Sequence, residues 1–382
     1  MPPQSGGMEI NMKIGILITS ISNFGQSGFY NSQEIGLAKA LSKKNDAVEV
    51  YKLVPIANKK RVETIESNEN AIVRFIPAKN FGINGFIDIR ELNKSLDALI
   101  HFADTQFSVP VVYKWCEKNS VQYIPYIGVV ESHSTSKLKQ VVTNFMFRRN
   151  IAVYKKCVCC VKTPTVQCKL RKININRTVV TPVGLDMDLL KQDFLNYDSI
   201  KLKSKYGYQE KEKILLFVGR LIEEKQPVRM IEIFSEILKI DVNYKLLMVG
   251  SGKLKEIVIA KIKELGIQDK VQMLENIPNS DIWELYRFSE AFINLNQQEI
   301  FGMAILEAMY YGCKVVAWKA PGPNYIIKDN ETGYLVNNNI QMIEDIVNGK
   351  DVSIASHQKI VNEFTWDNMA EKVKKIVSER RT

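Results

Sequence analysis

Histidine is scarce in this 382-residue chain, with three residues, His101, His133 and His357, lying far apart. A zinc site of histidine and cysteine needs clustered ligands, and the C-x-x-C from Cys157 to Cys160 has none nearby in sequence. The six cysteines (Cys116, Cys157, Cys159, Cys160, Cys168 and Cys313) show no disulfide spacing. Val158, Cys159 and Val161 give the C-x-x-C segment the character of a buried strand. Long apolar runs are missing too. Those at 14–18 and 214–218 are strand-length, far short of the ~20 residues of a membrane span. Residues 1–11 lack a basic start and an apolar stretch, so they are expected to be a disordered lead or an expression remnant. A cytoplasmic location is the corresponding expectation. No zinc spacing or RNP-like motif is present to support nucleic-acid binding, which the net charge of +10 alone would suggest.

What the chain does contain is alternation. Strand-like runs at 13–20, 48–54, 71–77, 98–102, 121–127, 157–163 and 178–183 are separated by helical stretches such as 31–42, 109–118 and 137–149. A second series of strands follows at 213–219, 244–250, 271–275, 291–296, 314–318 and 333–336. Apolar strands followed by amphipathic helices predict parallel sheets covered on both faces. The polar, strandless stretch 186–209 breaks the series. The expected organisation is an N-terminal domain over 12–190, a C-terminal domain over 205–363, and a last helix over 364–382 crossing back onto the first. Two doubly wound domains facing one another predict a ligand-binding cleft at the carboxyl ends of both sheets.

The strongest motif runs from Gln298 to Met309, after the strand 291–296. Glu299, Ile300, Phe301 and Gly302 precede or open a helix, whose free N–H groups and partial positive charge suit a phosphate or an electron-rich sugar. Glu299 is placed to accept hydrogen bonds from sugar hydroxyls. Glu307, eight residues on, is placed to take both hydroxyls of a ribose. The plainer reading is a capped amphipathic helix with one exposed glutamate. A second motif sets Gly219 and Arg220 at the end of strand 213–219, with Lys225 in the next loop. Two cations at one sheet edge can clamp a pyrophosphate and stabilise its charge as a sugar leaves. The plainer reading there is a salt bridge from Lys225 to Glu223 or Glu224.

Together these spans resemble the retaining glycosyltransferases of family 4, group 1, which share an E-x7-E motif. The likeness also runs through Gly250-Ser251-Gly252, Gly312 to Ala317, Thr332 to Val336, Gly184-Leu185-Asp186 and Thr163-Pro164-Thr165. The resemblance implies an α/β GT-B fold: two Rossmann-like, doubly wound parallel-sheet domains with an interdomain cleft. It implies a nucleotide-sugar donor; the expected nucleotide is UDP, with GDP next. Arg220 and Lys225 would hold the diphosphate, Glu307 the ribose and Glu299 the sugar. Amides from Ile300 to Met303 would contact sugar and phosphate, and Asn276 and Ile277 the base. Gly28, in a first loop that reads Gly28-Phe29 where the family has two glycines, would approach the diphosphate. His133 would reach the sugar. Asn324 stands where the family often has a glutamate, and Tyr310-Tyr311 replace small residues. Retention is expected to run through a front-face reaction in which the leaving phosphate helps deprotonate the acceptor. No D-x-D metal pair is read at a strand end, so no metal and no cofactor are expected.

From residue 132 to 185 there is no acidic residue, while Lys137, Lys139, Arg148, Arg149, Lys155 and Lys156 head a run of cations interleaved with Phe145, Met146, Phe147 and Tyr154. Such a segment suits an anionic membrane surface. The expectation is a glycan or lipid-linked acceptor, in cell-surface polysaccharide or glycan synthesis, reached peripherally on the inner face of the plasma membrane. The plainer reading is a solvated helix with its apolar side in the core. Kept beside these are a GT-B enzyme with a small soluble acceptor, a sugar-nucleotide epimerase and, more remotely, a nucleic-acid-binding protein.

Overall fold

A computed structural model describes residues 12–21, 32–43, 46–65, 68–131 and 137–379. The chain divides into two compact units, one of residues 1–184 with 366–382 and the other of residues 185–365.

In the first unit, β1 (Lys13–Ile18) leads to α1 (Gln33–Ser42), β2 (Ala47–Pro55), β3 (Arg61–Ile65) and β4 (Asn68–Ala78). A small hairpin of β5 (Asn80–Phe81) and β6 (Asn84–Gly85) follows. Then come β7 (Ala98–Phe102), α2 (Val109–Lys118), β8 (Gln122–Ile127), α3 (Lys137–Tyr154), β9 (Cys159–Val161), α4 (Pro164–Arg171) and β10 (Thr178–Val180). The eight-stranded sheet has the order β10-β9-β8-β7-β1-β2-β4-β3. Its strands pair in parallel except for β3, which runs antiparallel to β4 at the edge. β1 carries an almost uninterrupted apolar sequence and is buried along five of its six residues, as a parallel strand covered on both faces must be. β9 is shorter than its apolar run. Only two residue pairs tie it to β8, so the buried Cys157 lies ahead of the ladder, its thiol pushed up to about 12 by burial.

In the second unit, α5 (Ser199–Lys205) precedes β11 (Lys213–Val218), α6 (Pro227–Ile240), β12 (Tyr244–Val249), α7 (Lys255–Glu264) and β13 (Val271–Leu274). The series continues with α8 (Ile282–Phe288), β14 (Ala291–Asn294), α9 (Met303–Tyr310), β15 (Lys314–Trp318), α10 (Pro323–Ile326), β16 (Tyr334–Val336), α11 (Asn339–Asn348) and α12 (Ser353–Glu363). The sheet order is β13-β12-β11-β14-β15-β16, all parallel. After β13 the chain crosses to the other side of β11, which makes the β11/β14 junction a topological switch point. In open α/β sheets ligands bind outside the carboxyl ends of the strands at such a point. The core beneath it holds Leu215, Phe217, Met230, Phe234, Leu246 and Ile293.

The final helix, α13 (Trp366–Ser378), packs on α1 within the first unit. Gly36 of α1 is what allows this. A Cβ there would lie 2.1 Å from the Trp366 indole nitrogen.

Asp186 and Asp188 have D-x-D spacing beyond β10. Asp186 caps a 3-10 turn over Met187–Leu189, its Oδ1 accepting the Asp188 N–H at 3.2 Å.

Candidate functional site

Beyond the carboxyl end of β11 come Gly219 and Arg220, then a 3-10 turn over Glu223–Lys225. Gln226 adopts a left-handed conformation, with φ of 53°, and reverses the chain so that Pro227 can start α6. That reversal leaves Lys225 at the switch point. Its Nζ donates to Glu299 Oε2 at 2.5 Å. Neither glutamate beside it in sequence is its partner: Glu223 pairs with Lys253 instead, at 2.7 Å.

Glu299 stands on the loop after β14, and the loop is held by its own asparagines. The Asn294 side-chain oxygen accepts the Asn296 N–H, and that of Asn296 accepts the Gln298 N–H, both at 3.0 Å. The Nδ2 groups of Asn296 and Asn294 donate to Glu299 Oε2 at 3.1 and 3.5 Å. The Gly322 N–H, from the stretch after β15, donates to the Glu299 carbonyl at 2.9 Å. A Cβ on Gly322 would stand 2.1 Å from the Phe301 carbonyl oxygen, so only glycine permits that approach. The Glu299 carboxylate is thus fixed by three side-chain donors and its backbone by a neighbouring loop.

Ile300 and Phe301 carry the chain from this loop into α9. The Phe301 ring is buried and meets Phe364 at 6.3 Å between centroids, while its main chain lies against Gly322. Gly302 caps the helix with φ of 103°, a left-handed conformation that costs other residues energy. Its carbonyl accepts the first helical N–H groups, from Ile305 and Leu306. The N–H groups of Met303 and Ala304 lie one turn too early for helical partners.

Glu307 lies in the second turn of α9 and is buried. The Tyr286 hydroxyl donates to its Oε2 at 3.2 Å. Burial pushes the carboxyl up to about 8, and the tyrosine hydrogen bond only partly opposes this. Tyr286 in turn stacks on Tyr311, 6.2 Å away and nearly parallel. Tyr311 also meets Phe194 edge-on and receives the Lys191 N–H on its hydroxyl. The Tyr310-Tyr311 pair therefore serves packing around the helix that bears Glu307.

Arg220 is exposed; its carbonyl accepts the Ile222 N–H at 3.0 Å, and its guanidinium has no ion-pair or hydrogen-bond partner among the described residues. Asn276 and Ile277 lie on the loop beyond β13, at the same carboxyl edge. Asn324 belongs to α10, beside Gly322. Gly28 and His133 lie outside the described residues, as does the side chain of Lys139. In the first unit, Lys137, Arg148, Arg149, Lys155 and Lys156 are all exposed, on or just beyond α3. Met146, Phe147, Val153 and Tyr154 from the same helix are buried. The support residues Asn294, Asn296, Tyr286 and Gly322 were not read as functional in the sequence. The asparagines between a strand and a motif glutamate were the available signal, since short polar side chains there favour Asx turns.

Residues 198–349, within the second unit, match the family described as glycosyl transferases group 1. The chain is 29% identical over 187 residues to N-acetyl-alpha-D-glucosaminyl L-malate synthase of Bacillus anthracis, covering 49% of this chain and 46% of that protein. It is 24% identical over 267 residues to alpha-monoglucosyldiacylglycerol synthase of Streptococcus pneumoniae, covering 67% and 60%. The chain thus spans about half the length of the curated relatives it matches. Among solved structures, Anabaena HepE in complex with UDP and glucose superposes with a TM-score of 0.69 at 15% identity, covering 97% of this chain and all of that one. The fold is GT-B, as the resemblance implied.

Proposed function

We propose that this chain is a glycosyltransferase that moves a sugar from a UDP-sugar to an acceptor and retains the donor's anomeric configuration. The observation that carries the reading is the Lys225–Glu299 pair, set at the switch point of a parallel sheet and beside the glycine-opened end of α9. In the free protein the two side chains satisfy each other. A bound donor supplies a better partner to each, with diphosphate oxygens for Lys225 and sugar hydroxyls for Glu299. Arg220 adds a second cation, and the amides from Ile300 to Met303 add dipoles. Glu307 takes the ribose, and Asn276 and Ile277 take the base. The bond between the anomeric carbon and the diphosphate oxygen breaks, and the acceptor oxygen bonds to that carbon on the same face. The acceptor proton passes to the departing diphosphate. Fixed cations and amides stabilise the charge that develops on it, which is the part a metal ion plays in other transferases. We therefore assign no metal and no cofactor.

The two relatives named above are an N-acetyl-alpha-D-glucosaminyl L-malate synthase and an alpha-monoglucosyldiacylglycerol synthase. The acid-free basic span 132–185 favours the lipid side of that choice, with the protein peripheral on an anionic membrane and active in surface glycan or glycolipid synthesis. No helix among the described residues is long and apolar enough to cross a membrane.

A thermal-shift screen against nucleotides and sugar nucleotides, with EDTA present, tests the donor site. A ligand held only by the folded state raises Tm with its affinity and concentration. Stabilisation by one UDP-sugar, absent in Glu307→Ala, is the expected outcome. Stabilisation by nucleic acid and by no sugar nucleotide would overturn the reading.

A further inference from the structure

Two groups of large apolar side chains in the first unit point into solvent. On α3, Leu138, Val141, Val142 and Phe145 follow the i, i+3, i+4, i+7 spacing of one helix face, and Leu138 and Phe145 are 75% and 65% exposed. The buried side of the same helix is a different stripe, so this face is not the core face misplaced. The second group sits on the β5–β6 hairpin, where Phe81, Ile83 and Phe86 are each more than half exposed.

The hairpin holds these residues outward by backbone bonds rather than by burial. The Ile21 N–H donates to the Ile83 carbonyl and the Gly85 N–H to the Thr19 carbonyl, at 2.7 and 2.8 Å. Both contacts lie just past the end of β1. The loop after β7 joins the two groups. Phe107 contacts Phe81 and Phe86, with both centroid distances 6.1 Å. Its N–H donates to Asn84 of the hairpin. From the other side, Arg149 of α3 donates to the Phe107 carbonyl and lies over its ring. Arg149 is also four residues beyond Phe145, on the same helix face. Asn150 and Tyr154 bind the carbonyls of Gln106 and Asp104 at 3.0 and 2.7 Å. Helix, loop and hairpin therefore form one braced apolar surface at the β1/β7 junction, the switch point of the first sheet.

We infer that this surface inserts into an anionic bilayer and brings the carboxyl edge of the first unit to a lipid-borne acceptor. The inference rests on the membrane-acceptor reading above and names the surface that makes the contact. Charge argues for this occupant. The span 132–185 that contains α3 carries eleven cations and no acid, with Lys137, Arg148 and Arg149 flanking the ridge. Near the hairpin, Asp88 is bound by Arg90 at 2.7 Å. Apolar side chains rimmed by lysine and arginine are the composition of a face that sinks into the headgroup region. A membrane with anionic lipid adds an attraction for each cation, and salt screens it.

The test is flotation of the full chain with vesicles of phosphatidylglycerol and phosphatidylcholine, or of phosphatidylcholine alone. Two paired variants remove the apolar side chains, Leu138→Ser with Phe145→Ser and Phe81→Ser with Phe86→Ser. The wild type is expected to float with the mixed vesicles and not with the neutral ones. Each pair should lower the partition coefficient by about tenfold or more, since two large apolar side chains leave the bilayer. Equal loss from a helix pair and a hairpin pair is what a shared surface requires. Tm and the sugar-nucleotide thermal shift should stay at wild-type values, which separates a failure here from a failure of the donor reading. Flotation of either pair at the wild-type level, or equal recovery with neutral lipid, overturns the inference. So does a wild-type dimer that the variants convert to monomers, because a second copy then covers the face.

Discussion

Glu307→Gln keeps the shape of a buried side chain and removes its ability to ionise. The carboxyl is lifted from its ordinary 4.5 to about 8 because α9 places it away from water with one tyrosine hydroxyl as donor. At pH 7 roughly a tenth of the molecules carry the carboxylate, and at pH 9 roughly nine tenths do. Ribose hydroxyls donate to a carboxylate, so the ionised form is the one that binds. Affinity for UDP or a UDP-sugar should therefore rise about tenfold from pH 7 to pH 9, or about 1.4 kcal/mol. This window lies above the second ionisation of a phosphate monoester, near about 6. Stability should move the other way. The folded state holds this proton more tightly than the unfolded state, so the contribution is present below the unfolded value and is lost as pH rises through about 8. The change is at most ~5 kcal/mol over the interval. Calorimetric titration at several pH values and urea melts from pH 5 to 9 measure the two effects. Glu307→Gln should bind weakly at every pH and show a flatter stability profile. A wild-type affinity that does not change between pH 7 and 9 would refute the reasoning.

Other substitutions probe the scaffold of the site. Lys225→Ala removes the cation that Glu299 holds and should slow UDP formation, followed in a coupled assay, by about 10²- to 10³-fold, with Lys225→Arg recovering part of it. Gly322→Ala must displace the Phe301 backbone, which cannot yield as a flexible side chain would. Donor affinity should fall at least about tenfold, whereas an unchanged dissociation constant would mean the loop is not held as described. Gly36→Ala drives a methyl into the Trp366 ring and should destabilise the first unit by about 1–3 kcal/mol in urea melts, with donor affinity untouched.

The alternating architecture was legible because parallel strands buried on both faces write themselves as short apolar runs, as in β1 and β11. The Glu299–Glu307 span and Gly219-Arg220 were legible for a related reason: each sits where a strand ends and a loop or helix begins. Partnership was not. Lys225 has two glutamates beside it in sequence, yet its partner is 74 residues away, a distance that only the β11/β14 crossover closes. The hairpin at 80–85 was missed because arms of two residues have no periodicity, and β3 because its residues are exposed on an edge. The exposed face of α3 was hidden by a second apolar stripe on the same helix. The run 178–183 reads as one strand, but the ladder with β9 ends at Val180.

The most direct measurement is proton NMR of the full chain incubated with UDP-sugars in the presence of EDTA, following UDP and the sugar released to water as the simplest acceptor. The account predicts slow UDP formation from one sugar nucleotide, with the free sugar appearing first as the donor's own anomer, and formation about 10²-fold or more slower with Lys225→Ala. First appearance of the opposite anomer would contradict retention, and an absence of UDP from every donor would contradict the transferase itself.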